Sequence, residues 1–185
     1  MVTRPLAGRL LVAAPSLRDP NFDRTVVLVL EHGEEGALGL VLNRPTETDL
    51  LATLPRWAPF AAQPTVLFVG GPVAPAAAIA LAAVPAGAKG EGEGWLPLFD
   101  GLGSVDLERD PEELAVGGVR VFAGYSGWGP GQLEAELGTR AWYVVHAVPG
   151  DALSERPGDL WSEVLRRQGG SLKLVADFPP DPTMN

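Results

Sequence analysis

The stretch from residue 122 to residue 133 reads Phe-Ala-Gly-Tyr-Ser-Gly-Trp-Gly-Pro-Gly-Gln-Leu, and it decides how the rest of the chain is interpreted. Its four glycines, between Gly124 and Gly131, allow positive φ angles or a close approach of two backbones. The apolar residues before it predict a buried strand, and Pro130 predicts the first position of a helix that ends at Gly138. We therefore expect a glycine-rich turn between a strand and a helix.

Such a turn can serve two purposes. It leaves backbone N–H groups unpaired at a helix start, where an anion, a phosphate or a carboxylate is most easily held. Alternatively, the glycines only let the backbone pass close to a neighbouring sheet beneath the ring of Trp128. The sequence leaves both interpretations open.

Seven segments of the chain resemble the AlgH/YqgE family of bacterial proteins, most of which are uncharacterised. They follow the family's order from near the N-terminus to the glycine-rich stretch, and a weaker match follows at Leu160-Trp161. Some members carry the name of transcriptional regulator, through genetics rather than through a demonstrated site. The segments are Gly8-Arg9-Leu10-Leu11-Val12-Ala13-Ala14-Pro15, Asp19-Pro20-Asn21-Phe22, Glu31-His32, Gly36-Ala37-Leu38-Gly39-Leu40-Val41-Leu42-Asn43-Arg44-Pro45, Gly70-Gly71-Pro72-Val73, Gly124-Tyr125-Ser126-Gly127-Trp128 and Gly131-Gln132-Leu133-Glu134.

This resemblance implies an α+β fold in a single domain over residues 1–185, with a mostly antiparallel curved sheet or barrel and a few short outer helices. The residues alone indicate only a mixture of helices and strands. An alanine-rich run at 76–84 fits a strand or a helix, and the resemblance favours a strand. The other expected strands are residues 9–14, 24–31, 37–42, 65–69, 95–99, 104–107, 120–124 and 141–148.

Capping signals predict four helices. Thr46, with Asp49 three residues later, predicts a short helix, and Asp110-Pro111 predicts the start of another. The remaining two are expected at residues 130–137 and at about 158–167. A surface loop is expected at residues 87–94, and a proline-rich tail at residues 178–185.

Composition narrows the class of protein. Hydrophobic residues make up 46% of the chain, no apolar run is long enough to cross a bilayer, and the first residues do not form a secretory signal. A cytoplasmic protein without a membrane partner is therefore expected. The absence of cysteine excludes disulfides, thiolate metal sites and a cysteine nucleophile.

The net charge of −9 argues against direct binding to nucleic acid. Residues 86–115 contain eight acidic residues against Lys89 and Arg109, and no basic stripe is found elsewhere. Binding to duplex DNA requires several contacts to phosphates, which such a surface would repel. A small anionic ligand or a protein partner is the expected binding partner.

Three predicted strand ends suggest a ligand site. If the strands that end near Asn43, Gly70 and Gly124 lie side by side, their loops meet at one rim. Arg44 is the best single candidate for holding an anion, because the proline after it keeps it extended; a salt bridge to a nearby acid is its competing role. The expected ligand-binding residues are Asn43, Arg44, Gly70, Gly71, Gly124, Tyr125, Ser126, Gly127 and Trp128, with Tyr125 and Trp128 as the cover.

A second, polar set is expected at the rim of the sheet: Arg24, Glu31 and His32. Arg24 has the same two roles open to it as Arg44. His32 either takes part in chemistry or caps a turn by hydrogen bonding. Because the only other histidine is His146 and no acidic residue stands at ligand spacing, neither a metal nor another cofactor is expected.

The expected function is that of a non-catalytic binding or regulatory protein. The alternative is a hydrolase that uses His32, Arg44 and Ser126. Ser126 stands between a predicted strand and a helix, as a nucleophile elbow requires, but Trp128 occupies a position where that elbow needs a small residue. Catalytic residues are therefore not assigned from the sequence.

Overall fold

In the part of the chain that the structure describes, ten strands form the framework, and five short α-helices lie outside them or at one end. The structure, a computed structural model, describes residues 5–83 and 94–180. The expected loop at 87–94 and the expected tail at 178–185 therefore lie outside the described residues, apart from Gly94 and residues 178–180. The strands are β1 (Arg9–Ala13), β2 (Val26–Gly33), β3 (Gly36–Val41), β4 (Pro45–Asp49), β5 (Val66–Val69), β6 (Val73–Ala83), β7 (Trp95–Phe99), β8 (Leu102–Val105), β9 (Gly118–Trp128) and β10 (Trp142–His146), and the helices are α1 (Leu50–Thr53), α2 (Gln132–Gly138), α3 (Pro149–Ala152), α4 (Leu160–Gln168) and α5 (Gly170–Val175).

The strands join into one curled sheet in the order β10-β1-β2-β3-β9-β6-β8-β7. Neighbours along this path are antiparallel, whereas β5 runs parallel to β9 and carries β4 at its other edge. The curl brings β7 close to β1 and β2, where Gly8, Leu28 and Phe99 help to line a cavity of about 130 Å³. The expected fold class, α+β with a mostly antiparallel curved sheet, is confirmed: the sheet is a half-barrel.

Burial on both faces explains why β1, β2 and β3 are nearly continuous apolar runs. One face of these strands contributes Leu10, Leu28 and Leu40 to the inner core, which α4 closes. Trp161 of α4 donates its indole N–H to the carbonyl oxygen of Ala13 at 2.9 Å, which fixes the helix on the sheet. The other face of these strands contributes to an outer cluster beneath α2, and β6, β8 and β9 contribute to a second outer cluster beneath α1.

The prediction of a helix from Thr46 is wrong. Residues 45–49 form β4, where the Thr46 hydroxyl donates to the carbonyl oxygen of Leu67 in β5 at 2.6 Å. The helix is only the single turn α1, and Asp49 caps it by accepting from the backbone N–H of Leu51 at 2.9 Å. Pairing with β5 therefore outweighs the capping signal of Thr46.

The prediction of a helix at Asp110-Pro111 is also wrong, because residues 111–115 form turns. The Asp110 carboxylate does accept from the backbone N–H of Glu112 at 3.0 Å, as in a helix cap. However, Ala115 has a φ of 50°, which ends any helical course, and Val116 is then buried in the outer cluster beneath α1. The cap signal here starts a turn.

The third correction concerns the glycine-rich stretch. β9 does not end at Gly124 but continues to Trp128, and α2 begins only at Gln132, with Gly131 at its N-cap. The alanine-rich run is a strand, as the resemblance indicated, since β6 extends from Val73 to Ala83. A further helix, α5, follows the predicted helix near the C-terminus and had no counterpart in the sequence analysis.

Candidate functional site

The two glycine segments meet, as the sequence analysis required, but their backbones fill the space between them. The backbone N–H of Gly70 donates to the carbonyl oxygen of Ala123 at 2.9 Å, and Val41 donates to Gly70 at 2.8 Å. A Cβ atom at Gly71 would lie 2.2 Å from the carbonyl carbon of Tyr125. A Cβ atom at Gly70 would lie 2.3 Å from the carbonyl oxygen of Gly124. Both glycines are therefore required by the close approach of two backbones.

Tyr125 and Trp128 lie on opposite sides of the sheet. Tyr125 packs against the inner core, whereas Trp128 belongs to the outer cluster beneath α2. Ser126 is completely buried, and its hydroxyl donates to the carbonyl oxygen of Gly70 at 3.1 Å. Tyr125 and Trp128 thus do not cover a common space. Residues 124–128 form the end of strand β9 and not a turn with outward N–H groups.

Trp128 is part of a clasp that holds α2 on the sheet. The indole N–H groups of Trp128 and Trp142 both donate to Oε2 of Glu136, at 2.9 and 2.8 Å. Phe22 stacks on Trp128 and meets Trp142 edge to face, with ring centroids 6.1 and 5.6 Å apart. Glu136 was missed in the sequence analysis, because nothing in its own helix shows that two distant tryptophans converge on it.

His32 is held by hydrogen bonds at both ring nitrogens. Its Nδ1 accepts from the backbone N–H of Leu6 at 3.0 Å, so that Nε2 carries the proton and donates to Glu134 at 2.7 Å. The Glu134 backbone and the His32 side chain hold the pKa of the Glu134 carboxyl below its usual range. Glu31, by contrast, is exposed. His32 therefore ties residue 6 to α2, and neither of its nitrogens is left for a reacting group.

Asn43 and Arg44 hold the loop before β2. The Asn43 amide accepts from the backbone N–H of Val26 at 3.0 Å and donates to the carbonyl oxygen of Arg24 at 2.9 Å. Arg44 donates through Nη2 to the carbonyl oxygen of Asp23 at 2.6 Å. Arg24 itself has a φ of 53°, the left-handed conformation that non-glycine residues rarely adopt. Arg44 thus reaches a backbone carbonyl of this loop instead of the carboxylates of Asp19, Asp23 or Glu31.

The left-handed turn directs Arg24 toward the C-terminal part of the chain. Its guanidinium carbon lies 3.9 Å from the centroid of the Trp161 ring, and its Nη1 donates to the carbonyl oxygen of Phe178 at 2.9 Å. A cavity of about 150 Å³ opens beside it. We call this cavity the arginine pocket; its lining residues are Pro15, Arg18, Asp23, Arg24, Phe178, Pro179 and Pro180.

Within residues 5–83 and 94–180, no carboxylate is hydrogen-bonded to either arginine of the pocket. Arg18 is exposed and forms no hydrogen bond or ion pair with residues 5–83 or 94–180. Partial burial lowers the pKa of Arg24, and the charge of Asp23 only partly opposes this effect. An anion in the pocket would offset the burial of the Arg24 charge, which no carboxylate of the described chain offsets by hydrogen bonding. Arg18 was missed in the sequence analysis because it is an exposed loop residue without a motif.

A third notable arginine, Arg120, is buried in β9, with 2% of its surface exposed. It donates to the carbonyl oxygens of Gln63 and Ser154 at 2.6 and 2.7 Å. Its Nε has no partner in the part of the chain that the structure describes, and burial lowers its pKa to about 10. The signal that could have found it is a charged residue inside the apolar run Val119 to Phe122.

Neither a metal centre nor a membrane-spanning helix is found in the described residues. Residues 5–83 and 94–180 contain no group of three or more histidine or acidic side chains that could hold a metal ion. Within the same ranges, each helix is too short or too polar to cross a bilayer. The arginine pocket is therefore the arrangement with the clearest chemistry.

Comparison with known proteins gives a consistent result. A family model described as AlgH-like matches residues 10–173. A UPF0301 protein of Streptomyces coelicolor is 56% identical over 184 residues, which covers 97% of this chain and 95% of that protein. A UPF0301 protein of Thermobifida fusca is 48% identical over 189 residues, with 97% and 96% covered.

Two solved structures have the same fold. The crystal structure of a protein from Corynebacterium diphtheriae superimposes with a TM-score of 0.89 at 34% identity and covers 95% of this chain and 94% of that chain. The solution structure of the AlgH protein from Pseudomonas aeruginosa gives a TM-score of 0.68 at 31% identity, with 97% of both chains covered. Both matches extend over nearly the whole half-barrel.

Proposed function

The chain belongs to the AlgH-like family, and we propose that it is a non-catalytic binding protein that holds a small anion in the arginine pocket. The observation that carries the proposal is that Arg18 and Arg24 lie beside one cavity, and that no carboxylate in the described part of the chain is bonded to either. The chain has a net charge of −9, so this local excess of positive charge makes the pocket a more favourable place for an anion than the surrounding surface.

The size of the pocket restricts the ligand. A volume of about 150 Å³ is well above the ~10–15 Å³ that one water needs. It is below the ~300 Å³ at which pockets for drug-sized ligands begin. An inorganic phosphate, a carboxylate or the phosphate group of a larger molecule fits this range. Guanidinium groups bind such oxyanions through two parallel N–H bonds.

The loop that carries Arg24 is already fixed before a ligand arrives. Asn43 and Arg44 hold the backbone on either side of the left-handed residue, and Trp161 supports the guanidinium from one side. A site whose side chains are held in place loses less conformational entropy on binding. We therefore assign Asn43 and Arg44 a positioning role and Arg18 and Arg24 the contacts with the anion.

The hydrolase alternative is less well supported. A serine nucleophile needs a base within hydrogen-bond reach, whereas the Ser126 hydroxyl donates to a carbonyl oxygen and both nitrogens of His32 have other partners. Direct recognition of duplex DNA would need several phosphate contacts, and a pocket with two arginines in an acidic chain offers few. Binding of duplex DNA is one of the outcomes that the test below distinguishes.

The test is thermal unfolding with inorganic phosphate, simple carboxylates, nucleotides and duplex DNA at constant ionic strength. A ligand at a hundred times its dissociation constant stabilises by about 2.7 kcal/mol. For this chain length we expect a rise of about 5–10 °C in the melting midpoint. The rise should disappear in Arg24→Gln and in Arg18→Gln.

Arg56→Gln is the matched control. It removes the same charge, and Arg56 lies in an exposed ion pair with Asp110, neither of which lines the arginine pocket. Its response to the ligand should equal that of the unmodified protein. A response that all three variants share would identify a general salt effect, and no response to any anion would contradict the proposal and favour a protein partner.

A further inference from the structure

The outer edge of β10 is the feature that the proposed function does not use. β10 is the terminal strand on one side of the sheet, and among the described strands it pairs with β1 alone. Its sequence is Trp-Tyr-Val-Val-His, which contains neither a proline nor an acidic residue nor a lysine. Val144 at its centre is 40% exposed. Such a strand offers backbone groups to another strand.

The direction of these backbone groups follows from the pairing with β1. Ala14 donates its backbone N–H to the carbonyl oxygen of Ala141 at 2.9 Å, in the same register that pairs Leu11 with Val144. Backbone groups alternate in direction along a strand. The N–H and carbonyl groups of residues 141, 143 and 145 therefore face β1, and those of residues 142, 144 and 146 face outward. Arg167 agrees with this assignment, since it reaches the carbonyl oxygen of His146 from outside at 3.3 Å.

Val144 is the central residue whose backbone groups face outward. Within residues 5–83 and 94–180, nothing bonds to the outward N–H and carbonyl groups of Val144. The two other edge strands are protected by their side chains: β7 contains Pro97, and β4 begins with Pro45 and carries Glu47 and Asp49. β10 lacks both kinds of protection.

We propose that β10 pairs with β10 of a second copy of this chain, antiparallel and about a two-fold axis at Val144. In this register Val144 exchanges both backbone hydrogen bonds with Val144 of the second copy, and Trp142 lies opposite His146. The strand is self-complementary here, because the same three outward residues supply donors and acceptors on both sides. The two exposed Val144 side chains then pack against each other on the outer face of a continuous sheet.

The charges beside the strand allow this arrangement. The Arg167 guanidinium is held by Asp151 at 2.7 Å, so its weaker bond to His146 can be given up without leaving the arginine unpaired. Arg9 is close to His146, with Nη1 and Nδ1 3.1 Å apart, and lies on the strand behind β10. Because the contact is a single strand pair, we expect a weak, concentration-dependent dimer, with a dissociation constant on the order of 10–100 μM.

The experiment is sedimentation velocity on the full chain from about 5 to 500 μM, a range chosen to span that constant. The mass should rise from 19.4 kDa toward twice that value. Val144→Lys places two like charges at the two-fold axis and should weaken the dissociation constant at least about tenfold. Val144→Pro should do the same, because it removes the outward N–H without removing a bond to β1. Circular dichroism checks that both variants fold.

Val73→Lys is the matched control, because Val73 is an exposed valine of another strand, β6, at 37% exposure. This variant should dimerise as the unmodified protein does. A protein that stays monomeric throughout the range overturns the proposal. A dimer that survives both Val144 substitutions, or one that Val73→Lys also dissociates, overturns it as well.

Discussion

Replacing Asn43 by alanine should destabilise the protein by about 2–4 kcal/mol, because the Asn43 amide completes two backbone hydrogen bonds that water replaces poorly. Val26 is completely buried, so its N–H would keep no partner once the bond of 3.0 Å to Oδ1 is lost. Arg24 is half-buried, so its carbonyl oxygen, now 2.9 Å from Nδ2, would regain water in part. A buried donor left without a partner costs about 1–3 kcal/mol, and the lost bond to Arg24 adds the remainder.

The assay is urea unfolding followed by tryptophan fluorescence, with the melting midpoint as a second measure. At about 2–4 °C for each kcal/mol in a chain of this length, the midpoint should fall by about 5–15 °C. The dependence of the unfolding free energy on urea should stay the same, because the substitution does not change the surface exposed on unfolding.

Asn21→Ala provides the control for this prediction. Asn21 is exposed in the same loop. Its backbone N–H donates to the Asp19 carboxylate at 2.8 Å, and its side chain bonds to none of the described residues. Its substitution should change the unfolding free energy by less than about 0.5 kcal/mol. If Asn43→Ala were equally harmless, the loop before β2 would not depend on Asn43, and the reasoning on how Arg24 is positioned would be refuted.

Three further tests, at Glu136, Gly71 and Glu134, address other parts of the structure. Glu136→Ala should lower the free energy of unfolding by about 2–4 kcal/mol and shift the tryptophan emission, because two buried indole N–H groups lose a charged acceptor. Glu136→Gln keeps one acceptor oxygen, so it should lower the free energy of unfolding by about half as much. Gly71→Ala should lower the free energy of unfolding by about 3 kcal/mol or more, because its Cβ would lie 2.2 Å from backbone atoms. Gly131→Ala should lower it by only about 1–2 kcal/mol, because a Cβ there has open space around it and only the φ of 73° is unfavourable. The Glu134 carboxyl has a lowered pKa in the folded state, so its contribution to stability is present above pH 4.5 and is lost as the pH falls through the lower folded pKa. The difference in unfolding free energy between the unmodified protein and Glu134→Gln should therefore narrow below pH 4.5.

Each of these expectations has an outcome that contradicts it. Equal stability of Glu136→Ala and the unmodified protein would mean that the clasp on α2 contributes nothing. If Gly131→Ala were the more harmful glycine substitution, the close backbone approach at Gly71 would not limit stability. A gap for Glu134→Gln that stays constant from neutral pH to acid would show that the Glu134 backbone and His32 do not lower the pKa of this carboxyl.

The continuous strands could be predicted because burial on both faces leaves a strong signal in the sequence itself. β2 is the clearest case, since Leu28 faces the inner core and Val27 faces the cluster beneath α2. The glycine-rich end of β9 could not be predicted in this way. Glycine usually marks a turn, whereas here Gly124, with a φ of 69°, stays within the strand, packs against residues Gly71 to Pro75, and lies opposite the extra residues of β6.

The candidate site was predictable only in part. The sequence singled out Asn43, Arg44 and Arg24, and these residues do converge on one loop. The cavity beside them depends on Phe178, a residue 154 positions along the chain from Arg24, and no local pattern encodes a contact of that kind. Ligand binding by Gly70, Gly71 and residues 124–128 stays a prediction. The geometry favours close packing of two backbones as the role of these glycines.

The most direct test of the anion pocket observes its guanidinium groups themselves. The Nε–H signals of the twelve arginines can be recorded by nitrogen-15 NMR while inorganic phosphate is added at constant ionic strength. Two signals, identified by their absence in Arg18→Gln and Arg24→Gln, should shift along a saturable curve while the signal of Arg56 stays in place. If neither signal saturates, or if Arg56 shifts along with them, the arginine pocket is not an anion site.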